Sequence, residues 1–147
     1  MSNERRPGSI VGPLVLRDSR GLHDLRNGVW TGPAQHSDDV RAEDHDVRLM
    51  LLVEEHSIFE RLRTDRLPER HNCLLAMGGG FPGRAFLAIL HAIHAQLRAP
   101  LLILTDNDPA GYELFFLVAR GAGVAKKQSA GLAIPNALFI GLGGVLI

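Results

Sequence analysis

The sequence predicts an α/β fold in which about four parallel strands form one sheet with helices on both faces. Short apolar runs recur along residues 47–147, and each of the first three is followed by a polar or glycine-rich turn and then by a stretch with helical spacing. Connections this short favour right-handed crossovers between parallel strands. The predicted order is β-α-β-α-β-α-β, which forms an open, doubly wound sheet.

The first predicted strand is the apolar run 49–53, which stops at Glu54. A run that is apolar throughout is typical of a strand buried on both faces. A helix is predicted for residues 58–65, where Ser57 at the N-cap and Glu60 three residues later form a capping box.

The remaining predicted elements repeat this unit after Pro68, which ends the first helix. Apolar runs define the strands, and the glycines and prolines between them define the turns. In chain order these elements are a strand over 73–77, a glycine-rich turn over 78–83, a helix over 84–98, a strand over 101–105, a turn over 106–111, a helix over 112–120 and a strand over 137–142.

The composition is that of one soluble globular domain, with 147 residues of which 46% are hydrophobic and 22% charged. Sixteen basic and sixteen acidic side chains cancel, so the chain lacks the excess of Lys and Arg by which many nucleic-acid-binding proteins attract their ligand. Any contact with DNA must therefore be local. Cys73 is the only cysteine, which excludes an internal disulfide and fits an intracellular protein.

Residues 1–46 show no sustained period of 2 or 3.6, so we predict an irregular lead-in with possible short strands, and a folded domain over 47–147. The N-terminal residues lack the apolar core of a secretory signal. The uncharged stretch 128–147 is interrupted by Pro135 and by glycines, so no membrane span is predicted. We expect an intracellular location, in the nucleus of a eukaryote and otherwise in the cytoplasm or nucleoid.

Three carboxylates follow predicted strands and are the candidate site. Glu54 ends the first strand, Asp106 ends the third, and Asp108 lies in the same turn as Asp106. Ligands bind such sheets at the carboxyl ends of the strands, so we expect the three side chains to converge there. Like charges brought together require a cation, and hard oxygen ligands select Mg²⁺, with Mn²⁺ as an alternative, and imply a phosphate ester as substrate. A D-x-D pair alone is more often a solvated turn.

The surrounding motifs are similar to those of a known family. Val-Glu-Glu at the end of one strand and Thr-Asp-Asn-Asp-Pro-Ala-Gly after another resemble the Toprim domain, a Rossmann-like fold. Four blocks in order resemble the Toprim domain of the type IIB topoisomerase family, which comprises the meiotic double-strand-break transesterase and the topoisomerase VI A subunit: LLVEEHSIFERL, GGGFPGRAFLAIL, TDNDPAGYEL and QSAGLAIPNALFIGL. The resemblance covers about residues 51–142, and residues 28–40 match more loosely.

The resemblance implies a role for each matching position. Glu54 matches the glutamate that supports proton transfer at the sugar 3′ oxygen and helps to hold metal, and Asp106 and Asp108 match the metal-binding pair. The implied phosphate contacts are in the glycine loop and at the following helix start, at Gly79, Gly80 and Arg84.

Two positions depart from the family's pattern in a way that argues against tight DNA binding. Glu55 stands where the family often has lysine and Gly79 where lysine is usual, so two charges that face phosphate are missing. The family's proline-aspartate step and the two residues after it are shortened here to Pro82-Gly83.

The family cleaves DNA through a tyrosine on a separate winged-helix domain, by reversible transesterification. Tyr112 is the only tyrosine of this chain, and its place at a helix start predicts a packing role, so we expect no nucleophile in the chain and no DNA cleavage by it alone. The resemblance implies these partners: DNA, a chain or domain with the winged-helix tyrosine, a second copy in a homodimer, and an ATPase B-type subunit.

Three functions remain open. The chain can be the Mg²⁺-binding half of an ATP-dependent type IIB topoisomerase or of a related enzyme that makes double-strand breaks in meiotic recombination. It can instead be a degenerate Toprim interaction module without catalysis, which the missing lysines and neutral net charge favour. A free-standing, metal-dependent Toprim nuclease needs no tyrosine and is the third.

Overall fold

The computed structural model describes residues 8–31, 40–79, 83–106, 108–121 and 133–142. The N-terminal part of this range forms short strands: β1 (Ser9–Val11), β2 (Leu14–Asp18), β3 (Gly21–Asp24), β4 (Trp30–Thr31) and β5 (Arg41–His45). The rest alternates strands and helices: β6 (Leu49–Val53), α1 (His56–Thr64), α2 (Leu67–His71), β7 (Cys73–Met77), α3 (Arg84–Leu97), β8 (Leu101–Asp106), α4 (Pro109–Arg120) and β9 (Leu138–Leu142).

The main sheet has six strands in the order β4-β1-β7-β6-β8-β9. Its four strands β7, β6, β8 and β9 are parallel, which confirms the predicted sheet. Strand β1 pairs antiparallel with β7 and with β4, so part of the N-terminal region extends the sheet. A second, antiparallel sheet has the order β3-β2-β5. The domain boundary at residue 46 stays a prediction.

Helices cover both faces of the main sheet, as predicted. Side chains of β6 and β7 alternate between two cores, because successive residues of a strand point to opposite faces. Leu51 and Leu75 pack with Phe59 of α1, whereas Leu52 and Leu74 pack with buried residues of α3 and α4.

The three-stranded sheet lies against α3 through a side-chain clasp. Gln96 of α3 accepts a hydrogen bond from the Ala42 backbone N–H at 2.7 Å and donates one to the Val40 carbonyl at 3.0 Å. The amide therefore satisfies backbone groups of β5 and of the residue before it that would otherwise need water or another strand.

Buried Asp18 links the two sheets. Its side chain is 1% exposed and lies 2.8 Å from His23 Nε2, and it accepts hydrogen bonds from Arg20 and from Trp30 Nε1 at 3.1 Å. Trp30 belongs to β4 of the main sheet, whereas Asp18 ends β2 of the other. Burial acts to raise the pKa of Asp18, but the hydrogen bonds from Arg20, His23 and Trp30 outweigh it and hold the pKa well below its usual range.

The predicted start of the first helix is wrong. Helix α1 begins at His56 with Glu55 as its N-cap, which makes no side-chain cap hydrogen bond, so Ser57 lies inside the helix and the capping box with Glu60 is not formed. The chain turns directly from the strand into the helix because Glu55 is extended, with φ −97° and ψ 136°.

Two further helix boundaries differ from the prediction. Pro68 lies in the first turn of α2, a short helix that was not predicted; proline is favourable there because its missing N–H has no intrahelical partner to lose. Helix α4 begins at Pro109 and not at residue 112. No helix in the described residues is long and apolar enough to cross a membrane.

Candidate functional site

Glu54 and Asp106 lie at the same edge of the main sheet, on neighbouring strands. Val53 is in register with Leu104, and the Glu54 backbone N–H donates to the Leu104 carbonyl at 3.1 Å. Neighbouring strands are about 4.8 Å apart, so the residues that end β6 and β8 start from adjacent points of the backbone. The predicted approach of these two positions follows directly from the parallel pairing.

The Glu54 carboxyl is half-buried beside other acidic groups. Burial raises the pKa of Glu54, a hydrogen bond with the Asp106 backbone opposes this rise, and the charges of Asp108, Asp106 and Glu55 raise the pKa further. The charges of Asp106 and Asp108 therefore act on the Glu54 carboxyl from the same edge of the sheet. Such a group favours the arrival of a positive charge.

Asp108 is the N-cap of α4. Its side chain accepts a hydrogen bond from the Gly111 N–H at 2.8 Å, and its own N–H donates to the Asp106 carbonyl at 2.9 Å. Pro109 follows at the first helical position, where its fixed φ suits the helix. The cap uses one carboxylate oxygen, so the other can still serve a cation.

Gly111 fixes how closely α4 approaches the end of β8. A Cβ at this position would overlap the Asp106 carbonyl oxygen and the Thr105 hydroxyl. Thr105 is itself buried, and its hydroxyl donates to the same carbonyl at 2.8 Å. A side chain at residue 111 would therefore push the helix, and Asp108 with it, away from the strand end. The sequence prediction included this glycine only as the last residue of a turn.

The donor chemistry of this edge fits Mg²⁺. Among the described residues no group of three His, Cys, Asp or Glu side chains is gathered closely enough to hold a metal ion. Mg²⁺ does not require such a group, because it keeps several waters and is usually bound by one or two carboxylates together with substrate phosphate. Glu54, Asp106 and Asp108 supply oxygen ligands only, which suits Mg²⁺ or Mn²⁺.

Gly79, one of the positions predicted to contact phosphate, follows the carboxyl end of β7 at the same edge of the sheet. Met77, at the end of β7, is in register with Val53, and Gly79 follows with φ 75°, a conformation that favours glycine. Arg84 is the first residue of α3 and is exposed. Gly80 lies outside the described residues.

Tyr112 packs against an aromatic neighbour. Its ring centroid is 5.2 Å from that of Phe139 on β9, and the residue is 36% exposed. The packing role predicted for this side chain agrees with that contact.

The comparison with known proteins identifies the same family that the motifs indicated. Residues 49–144 match the model of the Toprim domain shared by Spo11 and the topoisomerase 6 A subunit. The chain is similar to the type 2 DNA topoisomerase 6 A subunit of Pyrococcus horikoshii, with 29% identity over 140 residues that cover 93% of this chain and 36% of the relative. The relatives of the same name from Haloarcula marismortui and Natronomonas pharaonis are 30% and 31% identical over 150 positions, covering 97% of this chain and 40% of each relative.

The chain thus spans less than half the length of these curated relatives. The family match covers the four parallel strands, the helices between them and all three candidate carboxylates. This chain therefore belongs to the Toprim-domain family of Spo11 and the topoisomerase 6 A subunit.

Proposed function

We propose that the chain is the Mg²⁺-binding Toprim module of a type IIB DNA topoisomerase, from its A subunit, or of a related enzyme that makes DNA double-strand breaks. The observation that carries this proposal is that Glu54 and Asp106 end neighbouring parallel strands, where burial and then the charges of Asp108 and Asp106 raise the pKa of the glutamate. Groups with perturbed pKa values in such a cluster are typical of functional sites.

Each carboxylate has its own part in the proposed function. Asp106 and Asp108 hold the ion, which when bound neutralises charge on the DNA backbone phosphate. Glu54 gives a proton to the sugar 3′ oxygen as that oxygen leaves the phosphorus and takes the proton back when the strand is rejoined, because its raised pKa brings its proton exchange closer to neutral pH. Arg84 and the loop at Gly79 orient the phosphate.

The nucleophile comes from elsewhere in this proposal. A tyrosine on a winged-helix domain, in another segment or another chain, attacks the phosphate, while Tyr112 keeps its packing role against Phe139. The relatives are more than twice as long as this chain, which leaves room for such a domain. The remaining proposed partners are DNA, a second copy of the chain and an ATPase B-type subunit. The proposed location is intracellular.

A degenerate interaction module is the second candidate. It is favoured by the absence of a preformed three-ligand group among the residues that the structure describes, and by Glu55 and Gly79 at positions where the family has lysine. In that case the Toprim fold is retained for docking and the carboxylates hold no ion.

A metal titration separates the two candidates. Mg²⁺ and Mn²⁺ are titrated by calorimetry into the wild-type chain and into the double variant Asp106→Asn with Asp108→Asn. Asparagine is as good an N-cap as aspartate, so the variant keeps the cap of α4 and loses only the charge. We expect saturable binding by the wild type and none by the variant.

The matched control is Glu60→Gln with Asp65→Asn, which removes two negative charges at α1, one from a half-buried and one from an exposed residue. This control is expected to bind metal as the wild type does. No binding by the wild type would favour the interaction module, and metal-dependent nicking of plasmid DNA by the purified chain alone would favour a free-standing nuclease.

A further inference from the structure

A cleft of about 270 Å³ lies between the loop after β3 and the segment that joins α1 to α2. Three arginines line it, Arg26 from the loop and Arg63 and Arg66 from the helical segment, and the acidic residue in its lining is Glu69. Asn27 and Thr64 add hydrogen-bonding groups. Counted over the lining residues alone, this is an excess of two positive charges; Asp24 and Glu60, which do not line the cleft, pair with Arg26 and Arg63.

This cleft is separate from the carboxylate edge. Pro68 and Glu69, in its wall, belong to α2, which ends just before the amino-terminal end of β7, whereas Glu54 follows the carboxyl end of β6, the parallel neighbour of β7. A five-residue strand spans about 16 Å, so a group bound in the cleft does not share its ligands with the carboxylates.

The three arginines are held to different degrees. Arg26 makes two short bonds to the Asp24 carboxylate, at 2.8 and 3.0 Å, through Nε and Nη2. A guanidinium carries five N–H donors, so this pairing orients Arg26 and leaves donors for a ligand. Arg63 and Arg66 approach Glu60 and Glu69 at only 3.5 and 3.7 Å. Exposed pairs of this length contribute little, so both side chains can turn toward an anion at small cost.

We propose that this cleft binds a phosphate group. Arginine forks match phosphate oxygens with two parallel hydrogen bonds, and several arginines that converge on one concave surface are the usual means of holding this anion. The volume suits a small charged group, because clefts for larger organic ligands start at about 300 Å³.

The same lining continues into a neighbouring cavity of about 180 Å³ that shares Val11, Arg26, Pro68 and Glu69 and also contacts Leu25. Such a cavity has space for a small part of the group that carries the phosphate. The phosphate can thus come from a small phosphate ester or from the backbone of a nucleic acid.

The test uses the full chain in a buffer with EDTA, so that its result does not depend on the carboxylate edge. Inorganic phosphate, adenosine monophosphate and a short fluorescent DNA duplex are the three probes, with amide NMR shifts for the first two and fluorescence anisotropy for the third. We expect phosphate to shift the amides of Asn27, Gly28 and Thr64 in a saturable way. The double variant Arg63→Gln with Arg66→Gln is expected to bind at least about tenfold more weakly, since each lost arginine removes charge-assisted hydrogen bonds.

The control variant is Arg61→Gln with Arg70→Gln, which removes the same charge from exposed side chains outside the cleft. It is expected to bind the small probes as the wild type does. If DNA is the source of the phosphate, duplex binding by the cleft variant should depend less on salt. The slope of the logarithm of the binding constant against the logarithm of the salt concentration should fall by about one unit for each lost phosphate contact. Saturable binding of the small probes without duplex binding identifies a free phosphate ester instead. The proposal is overturned if no probe shifts the cleft amides, or if both double variants weaken binding equally.

Discussion

The buried carboxylate of Asp18 should make a large contribution to stability, and the substitution Asp18→Asn tests it. Asparagine keeps the shape but exchanges one acceptor oxygen for an NH₂ group. The Oδ2 atom of Asp18 accepts from Arg20 Nη2 at 2.9 Å and from Trp30 Nε1 at 3.1 Å, while Oδ1 accepts from the Arg20 backbone N–H and lies 2.8 Å from His23 Nε2. In the variant the NH₂ group faces either the Trp30 Nε1–H or the Arg20 backbone N–H, so one of these donors loses its acceptor.

The magnitude follows from these contacts. Trp30 is buried, and a buried N–H that loses its acceptor costs about 1–3 kcal/mol. Arg20 is half exposed, so the lost charge on its partner adds only about 1 kcal/mol. The sum is about 3 kcal/mol, which for a chain of this size lowers Tm by roughly 10 °C.

Urea unfolding at neutral pH, followed by Trp30 fluorescence and far-UV circular dichroism, measures this loss. The control is Asp24→Asn, in the same hairpin, whose carboxylate also pairs with an arginine but is 34% exposed and not buried, so a much smaller effect is expected. The pH dependence has a defined sign. Because the folded pKa of Asp18 is lowered, its contribution is complete above the unfolded pKa of about 3.9 and is lost as the pH falls through the folded value.

The difference in the free energy of unfolding between the wild type and Asp18→Asn should therefore become smaller as the pH falls below about 4. A deficit below about 0.5 kcal/mol at neutral pH, the range of ordinary surface substitutions, would refute the assigned role of the carboxylate.

Two further predictions concern the carboxylate edge. Gly111→Ala should lower the free energy of unfolding in urea by about 1–3 kcal/mol and weaken Mg²⁺ binding, because the added methyl group overlaps the Asp106 carbonyl. The control is Gly28→Ala, where the methyl group meets open space and should change the free energy of unfolding by less than about 1 kcal/mol. Equal effects of the two substitutions would contradict the close approach of α4 to β8. Glu54→Gln should stabilise the metal-free chain at neutral pH, because a carboxyl whose folded pKa lies above its unfolded pKa destabilises the fold once the pH rises above the folded pKa. The stabilisation by glutamine should vanish in acid, where Glu54 is itself protonated. A variant less stable than the wild type at pH 7 would show that Glu54 has a structural role.

The parallel sheet could be predicted because its strands are apolar throughout. The runs at 49–53 and 73–77 match β6 and β7 at both ends, since a strand buried on both faces has no polar residue to blur its limits. The approach of Glu54 to Asp106 then followed from the rule that strand ends converge at one edge. The start of α4 was also within reach, because Asp108-Pro109 is an N-cap followed by proline.

Other features depend on contacts that no local pattern carries. Strands β1 and β4 have three and two residues, too few to show a period, and their place in the main sheet depends on pairing with β7 far along the chain. The network of Asp18 joins residues from three strands through side-chain hydrogen bonds. The clasp of Gln96 on residues 40 and 42 spans more than fifty positions of sequence.

The cap that Asp108 provides to α4 has an evolutionary consequence. Because the helix needs an acceptor for the Gly111 N–H whether or not an ion is bound, a lineage without metal binding would still be under selection to keep Asp, Asn or Ser there. An aspartate at this position is thus weak evidence that a relative binds metal. The positions of Glu54 and Asp106 are more informative. A neutral residue there would relieve the repulsion between the carboxylates, so without selection for metal binding these negative charges would be lost.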